Sequence, residues 1–413
     1  MSLSRAKPLL HSLVPSLSTS LENGIIAEVI SGLDKTQSKN FTLVTIANFF
    51  LFCDFSSFFL LPLFIKKLGG NEANIGFIMG SFGVTSLGSI PFVAFLIDKY
   101  GRRRFMLLGA VVMYLSSICY LFVRELSPIL YILRMLQGIG FAFFFTSAGT
   151  AVADFIPEMK RGQGLGMFGA FTIASYALGP TIGEGVIEKL GFTIFFVYAS
   201  SFSLIAILLV YPTKDAPFKR SLDRYGLDFF RLAFSRRYTV PLLSNLILAG
   251  GFGSVLNFIS VYVKQKGLDV FYFFLVYTVT ITSIRIMGGR ISDVFGRKKV
   301  ASPSLFIFSL SLAVIVLIDS VYKLVLISFL FSVSYGMLYP TLSALMMDKT
   351  NPDERGKAMG AFNACFSIGT NFLAFPFGII ARELGFNDMY LISAALVFLG
   401  FLLFTLFEPQ RDS

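Results

Sequence analysis

From Phe41 onward the chain is a succession of apolar runs of about twenty residues, the length that crosses a bilayer as a helix. The runs cover approximately 41–65, 75–97, 105–123, 129–154, 165–187, 192–211, 239–263, 270–291, 300–318, 324–347, 358–381 and 390–407, twelve in all. Hydrocarbon offers no water to an unpaired backbone group, so a spanning segment must close its hydrogen bonds internally, as a helix or in a barrel. Barrel strands read as short alternating segments, whereas these runs are long and uniformly apolar. The expectation is an all-α integral membrane protein.

Only 14% of the 413 residues are charged, against roughly a quarter in a soluble domain. That is too few to dress a water-facing surface of this size, and at 55% hydrophobic the chain is too apolar for disorder. The net charge of +11 does not point to nucleic acid, because the basic residues form short clusters between apolar runs rather than one face. Most of the 35 Lys and Arg lie in loops on the side that carries both termini. Such loops stay in the cytoplasm, which predicts a multi-pass protein of the cell (inner or plasma) membrane with both termini inside. Cys53, Cys119 and Cys365 lie inside apolar runs, without disulfide or metal-ligand spacing. The only histidine is His11, near the N-terminus, so no zinc site or histidine-based triad is expected, and the chain is not read as an enzyme.

Five segments follow from this pattern. Residues 1–40 form a cytoplasmic tail without a secretory signal, in which Leu21, Ile25, Val29 and Leu33 recur every four residues. That spacing fits either an interfacial amphipathic helix or a disordered tail. Residues 41–211 and 239–408 each hold six spans, the basic segment 212–238 links them, and 409–413 is a short cytoplasmic tail. The halves repeat. Asp98-Lys99-Tyr100-Gly101-Arg102-Arg103 returns 195 positions on (98 to 293) as Asp293-Val294-Phe295-Gly296-Arg297-Lys298. Arg161-Gly162 and Leu190-Gly191-Phe192 return 194 positions on (161 to 355, 190 to 384). Three matches at nearly one offset indicate two pseudo-symmetric six-helix bundles, with a site between them near mid-membrane.

On these residues the chain after position 40 resembles the major facilitator superfamily of secondary transporters. The family signature G-x-x-x-D-[RK]-x-G-R-[RK] is matched by Asp98, Lys99, Gly101, Arg102 and Arg103, with Ala94 at the first Gly. The second copy keeps Gly289, Asp293, Gly296, Arg297 and Lys298. The resemblance implies a latch that closes the cytoplasmic side, and Arg285, which shares a helix face with Gly289 and Asp293, is expected to support it. Arg134-Met135-Leu136-Gln137-Gly138-Ile139-Gly140 is similar to a span-four element linked to proton transfer in exporters. Gly179-Pro180-Thr181-Ile182-Gly183 is similar to the span-five element of antiporters, with Glu184 where a further Gly is usual. Its second-half positions Leu373, Ala374 and Phe377 lack the Gly-Pro element. Gly-Pro predicts a bend in span five and a close packing seam.

A charge in hydrocarbon costs roughly 2.5–3.5 kcal/mol even on insertion scales, so an intramembrane charge marks function by default. Asp54, Arg134, Glu184 and Arg285 qualify. Asp54 stands for a proton site, a cationic-substrate site or a static helix–helix bond. The resemblance adds that a span-one Asp pairs with a span-four Arg in proton-coupled members. Asp54 lies about 11 residues, roughly 16 Å, from the outer end of its span, and Arg134 about 5 residues, roughly 8 Å, so contact needs the full Arg side chain. Glu184, close to the outer end of span five, reads as a solvated mouth residue or as a proton exit or gate. Asn48, Gln137, Asn245, Asn257, Asn363 and Asn371 either line a central cavity or bond between helices.

The expected function is secondary active transport of a small amphipathic or hydrophobic molecule by alternating access, as a proton-coupled exporter (antiporter). Alternatives are a proton-coupled importer or facilitator of a sugar or organic acid, a lipid flippase, or a non-transporting receptor on the same fold. No cofactor is expected beyond the proton gradient. The expected partners are the substrate and membrane lipid, with the chain acting as a monomer.

Overall fold

The structure, a computed structural model, describes residues 34–157, 161–215, 236–351 and 354–409. The tail helix proposed around Leu21–Leu33 and most of the linker 212–238 lie outside the described residues.

Helix α1 runs Lys35–Lys67, tightening into a 3-10 turn at Phe58–Leu60. It is followed by α2 (Glu72–Tyr100), α3 (Arg102–Cys119) and α4 (Ile129–Phe155). One helical stretch, Arg161–Val210, departs from helical dihedrals only at Gly191 (φ 80°, ψ 176°), which divides it into α5 (161–190) and α6 (192–210). The second half repeats this plan as α7 (Arg236–Gln265), α8 (Phe271–Phe295), α9 (Arg297–Val314) and α10 (Val321–Lys349). Helix α11 (355–383) contains a π turn at Ile368–Phe372, and α12 is Phe386–Phe407. These are the twelve segments of the sequence pattern, in two bundles, α1–α6 and α7–α12.

The repeated glycines have a backbone reason. Gly101 and Gly296 turn the chain from α2 into α3 and from α8 into α9 at φ +95° and +90°, while Gly191 and Gly385 do the same before α6 and α12. A side chain is strained at such dihedrals. Aromatic side chains fill the bundle interiors, among them Phe58, Tyr120 and Phe196 in one and Phe273, Phe308 and Phe331 in the other. Outward-facing Phe92, Leu208, Val279 and Leu399 are 70%, 64%, 61% and 61% exposed, an apolar surface suited to lipid rather than water.

An even number of spans brings Lys35 and Glu408 to one face, here the terminal face; the opposite one is the distal face. The bundles meet through their distal halves. Near the distal end of α2, Gly76 approaches Ala374 and Gly378 of α11, and Gly80 lies under the Phe375 ring. Ser260 of α7 donates a hydrogen bond to the Phe59 carbonyl of α1 (3.2 Å), and Phe59 stacks on Phe274 of α8 at 6.2 Å.

Candidate functional site

Asp54 is fully buried inside the first bundle. Ser117 of α3 donates to Oδ1 (2.9 Å) and Oδ2 (3.1 Å), and Ser203 of α6 donates a short hydrogen bond to Oδ2. Gln137 of α4 donates from Nε2 to Ser117 Oγ (3.0 Å) and accepts from Arg134 Nη1 at its Oε1 (2.9 Å). Arg134 and Asp54 therefore form no direct ion pair; two side chains connect them. The mismatch in depth is the reason, since the guanidinium stays at its own level. There it lies 4.7 Å from the Phe82 ring and 5.8 Å from the Phe58 ring, positions in which an aromatic face attracts a cation. Asp54, Arg134 and Gln137 were legible as polar residues in apolar runs; Ser117 and Ser203 were not, because serines recur throughout the spans. Gln137 belongs to this network and not to a central cavity.

The second bundle supplies an internal comparison. The counterparts of Ser117 and Ser203, at the repeat offset, are Leu312 and Val397. A side-chain carbon on Gly251 of α7 would meet Val397 (2.8 Å) and Leu312 (2.9 Å), which places Gly251 in the position of Asp54. Arg134 and Gln137 correspond to Ser328 and Phe331. The same architecture thus stands with an apolar filling, and the fold itself does not require the carboxylate.

The other polar candidates divide between two roles. Asn48 is buried and donates to Thr172 Oγ1 of α5 (2.7 Å); Asn245, its counterpart, donates to the Phe362 carbonyl of α11 (2.6 Å). Asn257 donates to the carbonyls of Gly253 (2.8 Å) and Thr370 (3.2 Å), the latter in the π turn. Asn371 donates to Ser367 O (3.0 Å) and packs on Gly83 of α2. These four tie helices together. Asn363 is exposed and accepts from Tyr339 Oη (3.2 Å). Tyr339 in turn packs on Phe362 and Phe366, while in the first bundle Phe141, Phe145 and Tyr176 pack around the buried Phe52 as an aromatic cluster.

Glu184 is not a solvated mouth residue. It is 1% exposed, and its Oε1 accepts from Lys264 Nζ (2.8 Å) and from the Val270 backbone N–H (2.8 Å) that leads into α8. Lys264 also pairs with Glu188 and with Asp269 (3.1 Å). The three carboxylates converge on an ammonium group, not on space for a metal ion. This cluster joins α5 to α7 and α8 across the two bundles at the distal face. Lys264 escaped the sequence reading because it lies one residue beyond the run 239–263.

The signature residues work within each bundle. Arg102 pairs with Asp98 (3.3 Å) and Asp154 (2.9 Å), joining the ends of α2, α3 and α4. Arg297 pairs with Asp293 and Asp348 (2.9 Å) in the same way. Asp154 and Asp348 were not singled out, although their spacing (154 to 348) repeats the offset of Arg161 and Arg355. Asp215 Oδ1 accepts from the backbone N–H groups of Arg102 (3.0 Å) and Arg103 (2.8 Å), and its carboxylate occupies the space beside Gly101. Arg285 and Gly289 lie in α8, outside the residues whose side chains are described. Gly179 and Gly183 bring α5 against α1: a side-chain carbon on Gly179 would lie 2.6 Å from Cys53 O and Ser57 N, and one on Gly183 would meet Phe195 (2.9 Å) and Leu60 (3.2 Å). The dihedrals at Pro180 stay within the helical range, and the motif builds a close seam one residue from Asp54.

The sequence matches the profile of the Major Facilitator Superfamily over residues 44–291 and 273–413. It is 24% identical over 348 residues to an uncharacterised transporter of that type from Methanocaldococcus jannaschii, covering 81% of this chain and 89% of that one. It is 25% identical over 320 residues to the multi-drug resistance efflux pump PmrA of Streptococcus pneumoniae, covering 74% and 79%. The fold matches the crystal structure of a bacterial homologue of the human lysosomal transporter Spinster, inward-facing and occupied, with a TM-score of 0.77 at 12% identity over 91% and 97% of the two chains.

Proposed function

Because the chain belongs to the Major Facilitator Superfamily, we propose that this multi-pass membrane transporter is a proton-coupled exporter of small amphipathic molecules. The observation that carries the proposal is Asp54: a carboxyl group enclosed by Ser117 and Ser203 and connected to Arg134, at a position that the second bundle fills with Gly251, Leu312 and Val397. A carboxyl group enclosed within membrane-spanning helices and linked to a buried cation is the kind of group that serves as a proton relay in transporters. With Asp54 ionised, the network with Arg134 is neutral. Loading a proton leaves the buried Arg134 charge uncompensated and turns one of the two acceptor oxygens that order the serines into a donor. A ligand shifts conformations by its differential affinity for them, and the proton thereby acts as such a ligand.

The terminal face is the cytoplasmic one in this reading, as the Lys/Arg distribution favours, and the present conformation is closed to the outside by the Lys264 cluster and the α2–α11 seam. The partly exposed aromatic side chains Phe145 and Tyr339 suit an apolar or amphipathic substrate with few polar contacts. Export is supported by the likeness to PmrA and by Gly179-Pro180. Purified protein in proteoliposomes, with an imposed pH gradient and a fluorescent amphipathic cation, tests both claims. Asp54→Asn is expected to abolish proton-driven accumulation while leaving substrate binding intact. Undiminished coupling in this variant, or flux that runs only with the proton, would overturn the assignment.

A further inference from the structure

Between the distal ends of α1, α3 and α6 lies a cleft of about 140 Å³, with Lys67 and Arg124 at its rim and Tyr120 and Phe196 among the residues that line it. These are the three helices that supply Asp54, Ser117 and Ser203. Phe58 is one helical turn from Asp54, Tyr120 about one turn from Ser117, and Phe196 two turns from Ser203, each toward the distal face. Their rings form a plug: Tyr120 stacks on Phe196 (5.2 Å) and packs on Phe58 (5.1 Å), and each is at most 1% exposed. The Tyr120 hydroxyl is buried without a hydrogen-bond partner. An orphaned buried hydroxyl is costly, and of the three rings only this one can bond a water molecule.

We propose that this cleft is the external access route for the proton that loads Asp54, with the Phe58–Tyr120–Phe196 plug as its valve and Tyr120 Oη as the water-binding step within it. The proposal rests on the reading of Asp54 as the proton site. The route runs inside the first bundle and does not pass between the bundles, so proton and substrate reach their sites by different paths. Lys67 and Arg124 stand exposed at the rim, where solvent and salt screen them, and Lys67 is held over the Phe192 ring (5.3 Å). Around Asp54 are Ser117 from α3 and Tyr120 just beyond its end, Ser203 from α6, Gln137 and Arg134 from α4, and Cys53 from α1.

The test uses full-length protein in proteoliposomes with an internal pH dye. Thr193→Trp, at an exposed position that lines the cleft, is expected to slow proton-driven transport about tenfold. Substrate counterflow, which moves no net proton, stays unchanged. Phe196→Ala is expected to produce a substrate-independent proton leak that disappears in the Phe196→Ala/Asp54→Asn double variant. Wild-type proton-driven rates in Thr193→Trp, or a leak that persists in the double variant, would overturn the route. If Asp54→Asn alone leaves coupling intact, the proton-site reading fails; if it uncouples while Thr193→Trp is silent, only the cleft fails.

Discussion

The residues that matter most here are polar groups whose partners come from distant spans. Asp54 meets Ser117 and Ser203, 63 and 149 positions away. A hydrogen bond to a charged group contributes about 1.5–3 kcal/mol, more than one to a neutral group, so both serines favour the ionised carboxylate. Ser203→Ala is therefore expected to slow substrate-driven proton release about tenfold without changing substrate affinity, as measured with a pH dye in liposomes. The two arginine triads give a paired prediction. Arg102 and Asp154 expose 7% and 24% of their side chains, Arg297 and Asp348 21% and 47%. Exposed pairs contribute about 1 kcal/mol or less, while breaking a buried one costs several-fold more. Asp154→Asn should lower the thermal unfolding midpoint in detergent clearly more than Asp348→Asn does. The intramembrane charges were legible in the sequence because each is costly in hydrocarbon. The serines were not, because a hydroxyl is inexpensive anywhere along a helix that can bond it to its own backbone, as Ser116 does to Val112.

Among the elements, α2 and α11 form the closest seam between the bundles. The α-carbon of Gly378 lies 2.9 Å from where a side-chain carbon on Gly76 would stand, and that approach admits no side chain. Gly76→Val wedges the distal halves apart without disturbing the interior of either bundle. The expected outcome is at least a tenfold loss of transport, with increased labelling of a Ser260→Cys reporter by a membrane-impermeant thiol reagent. Unchanged labelling would show that this seam does not set closure. The seam could not be read from the spacing of glycines alone, since Gly88, Gly149 and Gly166 have open space beside them. A glycine that is used and one that is idle look alike until the neighbouring helix is in place. The positive-φ glycines were different: Gly101/Gly296 and Gly191/Gly385 announced themselves by repetition.

For the whole molecule, the Lys264 cluster ties α5 to α7 and α8 across the two bundles at the distal face. Lys264→Gln leaves Glu184 buried, with Val270 as its remaining partner and a second oxygen that already lacks one. Couplings of this kind carry about 1–3 kcal/mol, a 5- to 150-fold change in population. Spin labels at Lys189→Cys and Lys266→Cys, one on each bundle at the distal face, should report a shift toward longer distances in Lys264→Gln. Glu184→Gln, which keeps the hydrogen bonds but not the charge, should shift them less.

The sequence by itself determined the twelve spans, their division into two repeated bundles and which charges enter the membrane, because hydrocarbon penalises polar groups locally and every run declares its own length. Only the tertiary structure decided that Arg134 connects to Asp54 through Gln137 and Ser117, that Glu184 is buried against Lys264, and that the two bundles meet at the distal face. Those outcomes depend on contacts between helices far apart in the chain, and in a transporter more than one set of such contacts is compatible with the same spans.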